Sequence, residues 1–152
     1  MLDRPLRLLL TAGHRLLRAG WFIRRPRTHG AHALALTKGR KIVLVKLRYA
    51  SGWRLPGGGR RPREYAQATV IRELREEIGM TAYGRVRFAC ELEEEVDYKR
   101  DLASLLIVED VRYLAPRWSW EVEKVGEFEI DGLPRDTAPV TLRWIKALRD
   151  SI

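Results

Sequence analysis

The sequence predicts a mixed α/β sandwich, and three observations carry that prediction. Two alternating, strand-like runs come early, at Thr28–Thr37 and Ile42–Leu47. A glycine-rich break then leads into an amphipathic helix over residues 64–78. Several more strand-like runs follow, and the chain closes on a second helix. The strict β-α-β alternation of a doubly wound sheet is missing, so a mixed sheet between helices is the expected architecture.

Each element has its own justification. Residues 4–19 place Leu6, Leu9, Leu10, Gly13, Leu16, Leu17 and Gly20 on one helical face, opposite Arg4, Arg7, Arg15 and Arg18. Pro26 stops propagation of that amphipathic helix. Lys38-Gly39-Arg40 reads as the turn of a hairpin between the first two strands. Trp53-Arg54-Leu55 is a short extended piece, and Pro56-Gly57-Gly58-Gly59 is expected to break regular structure. In the 64–78 helix Ala66, Val70, Ile71, Leu74 and Ile78 form the apolar face, and Gly79 stands where a left-handed C-terminal residue belongs. Val86–Leu92 and Leu102–Val111 read as strands joined by a charged turn over Glu93–Asp101. Val122–Ile130 is a further strand, and Leu133-Pro134 leads into a final helix over Ala138–Leu148.

Composition narrows the function classes. At 152 residues, with 45% hydrophobic and 32% charged side chains, the chain has the make-up of one globular domain rather than a disordered segment. The single cysteine, Cys90, excludes an internal disulfide and a cysteine-based metal cluster within one chain. It lies in an alternating stretch and is expected as a half-buried strand residue. No apolar run approaches the ~18 residues of a membrane-spanning helix, and the start lacks a secretory pattern. A cytoplasmic location is the default expectation. The formal charge of +9 points to a polyanionic partner. Residues 1–27 hold seven arginines and one aspartate, which is +6 of the total, leaving +3 for the rest. The expected organisation is therefore a basic amphipathic leader, 1–27, and a folded domain, 28–152. Three partners remain open for the leader: a membrane surface, nucleic acid or a second subunit.

The chemistry concentrates between Gly58 and Met80, GGRRPREYAQATVIRELREEIGM. At 100° per residue, Glu77 lies about 40° from Glu73 on the helix and Glu76 about 60° to the other side. Three carboxylates thus share one stripe, although like charges at these spacings destabilise a helix by a few tenths of a kcal/mol per pair. A hard divalent cation, Mg²⁺ or Mn²⁺, held by oxygen ligands is the simplest explanation. Gly57, Gly58 and Gly59 let backbone approach a ligand closely, and their carbonyls can add to an oxygen shell. Arg72, adjacent to Glu73 and one turn before Glu76, can hold a carboxylate in place.

This segment resembles the Nudix box, G-x5-E-x7-R-E-U-x-E-E-x-G-U, where U is apolar. Gly58, Glu64, Arg72, Glu73, Leu74, Glu76, Glu77, Gly79 and Met80 occupy every position. Seven fixed and two apolar positions coincide by chance roughly once in 10⁸ windows. The approach Trp53-Arg54-Leu55-Pro56-Gly57-Gly58 resembles the family's entry to its box, and the resemblance spans about residues 28–148.

The resemblance implies a Nudix α/β/α sandwich with a mixed sheet, and hydrolysis of a nucleoside diphosphate linked to another moiety. It implies that Glu73, Glu76 and Glu77 hold Mg²⁺ or Mn²⁺, with the Gly57 carbonyl as a further ligand. Glu64 and Gly58 would steady the box, and Arg72 would act with the catalytic carboxylates. Glu121, or Glu123 in another loop register, would bind another metal or take the proton from water. The histidines are scattered, and His29 and His32 read as hairpin residues rather than ligands. Lys46 and Arg48, alternating on one strand face, are candidate phosphate contacts, and Trp53 is a candidate for stacking on a base. Tyr98 falls near where dinucleoside polyphosphate hydrolases of the family carry a tyrosine. A nucleotide-type small molecule is the expected substrate, and a homodimer is left open. Two rival readings are a binding or regulatory module without turnover, and an RNA 5′-end pyrophosphohydrolase served by the basic leader.

Overall fold

The computed structural model describes Leu9, Ala12, Gly13, residues 27–96 and residues 99–152. The expected N-terminal helix therefore lies outside the described residues apart from Leu9, Ala12 and Gly13, and Tyr98 lies outside them too. The elements in chain order are β1 (Arg27–Leu36), β2 (Ile42–Leu47), β3 (Trp53–Arg54), β4 (Gly57–Gly59), α1 (Ala66–Ile78), β5 (Met80–Ala82), β6 (Arg85–Val96), β7 (Lys99–Glu109), β8 (Arg112–Tyr113), β9 (Val122–Phe128) and α2 (Pro139–Leu148). A short 3-10 turn, Arg149–Ser151, ends the chain.

Seven strands build one mixed sheet in the order β3-β2-β1-β7-β6, with β4 against β1 and β9 against β2. β1 and β7 run parallel, and the other pairs are antiparallel. β5 and β8 form a separate two-stranded ribbon. The expected hairpin is present, but β1 and β2 are in register only at Ala35↔Val43 and Leu36↔Ile42. Beyond those pairs the two strands part. The intervening segment fills the opening, β3 pairing with β2 and β4 with β1.

Helices cover both faces, because the strands alternate two sets of apolar side chains. Ala31, Ala33, Ala35, Val43, Val45, Leu106 and Val108 pack with Val70, Leu74 and Ile78 of α1. The alternate residues Leu34, Leu36, Ile42, Leu44, Leu105 and Ile107 pack with Trp144, Ile145 and Leu148 of α2. Strands buried on both faces read as nearly continuous apolar runs, as Ala33–Leu36 and Ile42–Val45 do. Cys90 is a free, half-buried residue of β6, as expected.

Three expectations need correction. Gly57–Gly59 is a short strand rather than a break, since glycines allow the close backbone approach that pairing with β1 requires here. The helix begins at Ala66 rather than residue 64, because Glu64 folds its carboxylate back onto the Arg61 amide and the Thr69 hydroxyl. The charged run Glu93–Asp101 is mostly strand. β6 and β7 continue through Glu94↔Asp101 and Glu95↔Arg100, where unlike charges face one another in the second pair.

Candidate active site

The parting of β1 and β2 places the glycine segment directly beside α1. Gly57 has φ +148°, and a Cβ there would stand 2.3 Å from the Ala31 carbonyl oxygen and 2.6 Å from His32 Cα. Only glycine fits this position. Gly57 donates its N–H to Glu77 Oε2 at 2.9 Å, tying strand to helix. A Cβ on Gly58 would lie 2.7 Å from Glu73 Oε1, so the loop backbone and that carboxylate are in close approach. Gly79 closes the helix in the left-handed conformation, φ +70°, and donates its N–H to the Leu74 carbonyl.

Arg72 organises the carboxylates. It donates Nε to Glu64 Oε1 and Nη2 to Glu64 Oε2, both at 2.9 Å, a two-point grip. Its Nη1 reaches Glu73 Oε1 at 2.6 Å and Glu76 Oε2 at 3.3 Å, and Nη2 also reaches the Gly59 carbonyl at 3.1 Å. Glu64 receives two more donors, the Arg61 N–H and the Thr69 hydroxyl. The Arg72 fork, then the Arg61 amide, hold the Glu64 carboxyl well below the usual range. These bonds raise Arg72 further above its already high value, Glu64 contributing most.

The three helical glutamates share a stripe but not an environment. Glu77 is 4% exposed, whereas the Glu76 side chain is 52% exposed and lies 3.6 Å from Arg61 as well. Burial, opposed by the Gly57 amide, pushes the Glu77 carboxyl well up, and the charges of Glu73, Glu121 and Glu76 add to this. Glu73 is raised in the same way, mainly by burial, with Arg72 opposing. Glu121 sits just before β9, its carbonyl accepting from the Arg48 N–H at 2.8 Å and its own N–H bonded to Ser119 Oγ. The charge of Glu121 is felt by both Glu73 and Glu77, so the carboxylates form one electrostatic cluster.

Glu77 and Glu121 line a cleft of about 1540 Å³; Glu73 and Glu76 do not, and Glu76 borders a separate, smaller hollow with Arg72 and Arg75. The walls of the cleft include Gly57, Gly58, Glu77 and Glu121 on one side and Val140, Thr141 and Trp144 of α2 on another. Glu121 lines it; Glu123 does not, and stands where the β2–β9 register shifts. Tyr49, which sequence reasoning passed over, also lines it. Burial and then the charges of Glu121 and Glu77 push its hydroxyl up to about 12. His29 and His32 are β1 residues, as expected, and both line the cleft.

Several candidate substrate contacts lie elsewhere. Lys46 and Trp53 are cross-strand partners outside the cleft wall. Lys46 Nζ pairs with Asp136 Oδ2 at 2.6 Å, and the Trp53 ring packs edge-on to Phe128 at 4.8 Å. Arg48 turns its Nε onto the Ser119 carbonyl at 2.8 Å. Adjacent to Trp53, it is Arg54 and Leu55 that line the cleft.

Among the described residues, no three His, Cys, Asp or Glu side chains stand ready as a group to hold a metal ion. The donor chemistry nevertheless fits a hard cation. Clustered carboxylates raise one another's proton affinity, which a cation relieves. Glu73 bonded to Arg72 keeps further lone pairs, and the exposed Glu76 can turn.

The model of the NUDIX domain family matches residues 26–146. The chain belongs to the Nudix family. It shows 40% identity over 55 residues to a Bacillus subtilis (strain 168) protein named "Putative 8-oxo-dGTP diphosphatase". That match spans 36% of this chain and 37% of the relative, so just over a third of the relative's length is matched. A MutT NUDIX hydrolase from Burkholderia pseudomallei superposes with a TM-score of 0.69 at 25% identity, over 81% of this chain and 98% of that one. A MutT protein from Methanosarcina mazei Go1 superposes with a TM-score of 0.64 at 24% identity, over 84% of this chain and 96% of that one. The mixed sheet flanked by helices is the Nudix fold.

Proposed function

We propose that this Nudix hydrolase cleaves the diphosphate linkage of a nucleoside diphosphate derivative, in the presence of Mg²⁺ or Mn²⁺. One observation supports this above the rest. The chain Glu64–Arg72–Glu73 and the bond from Gly57 to Glu77 fasten three carboxylates beside the glycine segment, and Glu64, Glu77 and Glu121 line the cleft there.

Glu73, Glu76, Glu77 and Glu121 are the residues that would hold the cation, with the Gly57 carbonyl as a further oxygen donor. A bound divalent ion supplies neutralisation of the diphosphate oxygens and acidifies the attacking water. Arg72 spends its fork on Glu64 and one Nη on Glu73, which keeps the Glu73 carboxylate in one orientation. The glycines leave room for a phosphate against the loop backbone. Water attacks one phosphorus, and Glu121 accepts its proton. The bond between that phosphorus and the bridging oxygen breaks, and the second phosphate leaves with the bridging electron pair.

The relative named for 8-oxo-dGTP suggests that nucleoside triphosphates belong in the first panel. Nucleoside triphosphates, sugar-linked nucleoside diphosphates and dinucleoside polyphosphates are incubated with Mg²⁺ or Mn²⁺, and phosphate or pyrophosphate release is measured. Release from at least one class, lost on chelation, is the expected result. Inertness toward every class with both metals would overturn the proposal.

A further inference from the structure

The inner wall of the cleft carries two polar groups that the fold does not use. Thr141 and Trp144 are 0% and 5% exposed, and both line the cleft from α2. They are three residues apart, so they sit on one helical face. Thr141 Oγ1 and Trp144 Nε1 are buried, and neither has a hydrogen-bond partner among the described residues. Thr141 stands in the first turn of α2, where the residue four back, Thr137, precedes the helix, and the Thr141 hydroxyl meets no acceptor. Buried donors without partners are rare in folded proteins, and two on one wall of one cleft call for a common explanation.

The surroundings describe what would meet them. The Trp144 ring lies 4.5 Å from the His32 ring, tilted by 39°, and Leu55 and Val140 complete an apolar, aromatic-walled end. Arg60, Arg61 and Arg63 border the cleft together with the glycine segment and the carboxylates. The cleft thus sets a glycine- and arginine-bordered region suited to phosphate beside an aromatic wall suited to a flat, weakly polar group, His32 lying between Gly57 and Trp144.

We propose that Thr141 and Trp144 are specificity-determining residues that read the edge of a nucleobase. The indole N–H donates only, so the base must present a carbonyl oxygen or ring nitrogen to it. The threonine hydroxyl gives or accepts, and meets the neighbouring position on the same edge. This rests on the hydrolase reading above insofar as the phosphates lie at the glycine end.

The test uses the whole protein, a near-isosteric variant, Thr141→Val, and a smaller aromatic variant without the N–H, Trp144→Phe. Binding of the four ribonucleoside 5′-monophosphates and of ribose 5-phosphate is measured by calorimetry, and KM and kcat are measured on any substrate found. Each variant is expected to weaken at least one nucleotide by roughly 3- to 10-fold, the worth of one neutral hydrogen bond, with the loss falling on KM. Ribose 5-phosphate binding should not follow. Thr141→Val should melt no lower than the wild type, because it removes an unpaired buried hydroxyl; if it fails to fold, Trp144→Phe decides alone. Variants that bind every nucleotide as the wild type does would overturn the assignment, as would ribose 5-phosphate binding as tightly as the nucleotides. Nucleotides that bind and respond to both substitutions, yet are hydrolysed with neither metal, would sustain this assignment while removing the proposed reaction.

Discussion

The Gly57 N–H meets Glu77 Oε2 at 2.9 Å, joining two positions 20 residues apart. That bond is the seam between the loop and the helix. It also supplies one neutral donor to a carboxylate that is buried among three others. Glu77→Gln keeps the side-chain shape and removes the charge. Turnover should fall at least ~10²-fold if Glu77 holds the cation. Ordinary turnover in the variant would remove Glu77 from the metal-binding set.

The same residue sets a pH dependence. Burial and neighbouring charge give the folded protein a higher proton affinity at Glu77 than the unfolded chain has, the ordinary value being 4.5. A group raised in this way favours the folded state below that value, and its contribution is lost as pH rises toward the folded value. In metal-free buffer, Glu77→Gln should therefore melt higher than the wild type at pH 7, and the gap should close as pH falls toward about 4.5. Added Mg²⁺ or Mn²⁺ should raise the wild-type melting temperature more than that of the variant. Differential scanning fluorimetry across pH checks both. A variant that melts lower at pH 7 would contradict the sign.

Glu64 has the opposite sign. Its depressed carboxyl stabilises the folded state fully above about pH 4.5, and that contribution declines as pH falls toward the lower folded value. Glu64→Gln should be less stable than the wild type at pH 7, with a difference that shrinks below pH 4.5. Acid unfolding curves of the two proteins measure it.

Two glycines of one short strand make a sharper structural test. Gly57→Ala adds a methyl against the Ala31 carbonyl at a φ that side chains rarely adopt, and should cost at least ~2 kcal/mol. Gly59→Ala meets nothing within 4 Å and should stay within about 0.5 kcal/mol. Urea unfolding of both variants gives the comparison; equal costs would mean that the segment does not hold the described backbone.

The legible part of the site is the part built on one helix. Arg72, Glu73, Glu76 and Glu77 have mutual positions that follow from helical geometry, and Glu64 stands two residues before the helix. Their division into a buried Glu77 and an exposed Glu76 does not follow from spacing. It depends on how far α1 settles over the three alanines of β1. β4 was illegible because Gly57–Gly59 has no intrinsic preference for a strand and pairs only because β1 and β2 part. The length of β6 and β7 was masked by charge, which marks solvent exposure as readily as a turn. Thr141 and Trp144 are read only as members of the final helix. Their role as a cleft wall depends on His32, more than a hundred positions away in the chain.

Arg48 separates a contact with phosphate from a role in positioning. Its alternation with Lys46 makes it a candidate for the former, but β2 ends at Leu47 and Arg48 stands in the turn beyond. Its Nε instead meets the Ser119 carbonyl, and its backbone N–H meets the carbonyl of Glu121. Ser119 in turn accepts the N–H groups of Glu121 and Val122 through its hydroxyl. Removing the guanidinium frees the segment that carries Glu121 without emptying the glycine end of the cleft. Arg48→Ala should therefore lower kcat by about 10-fold, with a much smaller change in KM, because a displaced base is lost from the reaction geometry rather than from binding. Arg48→Lys should not restore the rate, since an ammonium cannot reproduce the directed Nε–H bond. A variant with normal kcat and a KM raised by an order of magnitude would instead make Arg48 a phosphate ligand.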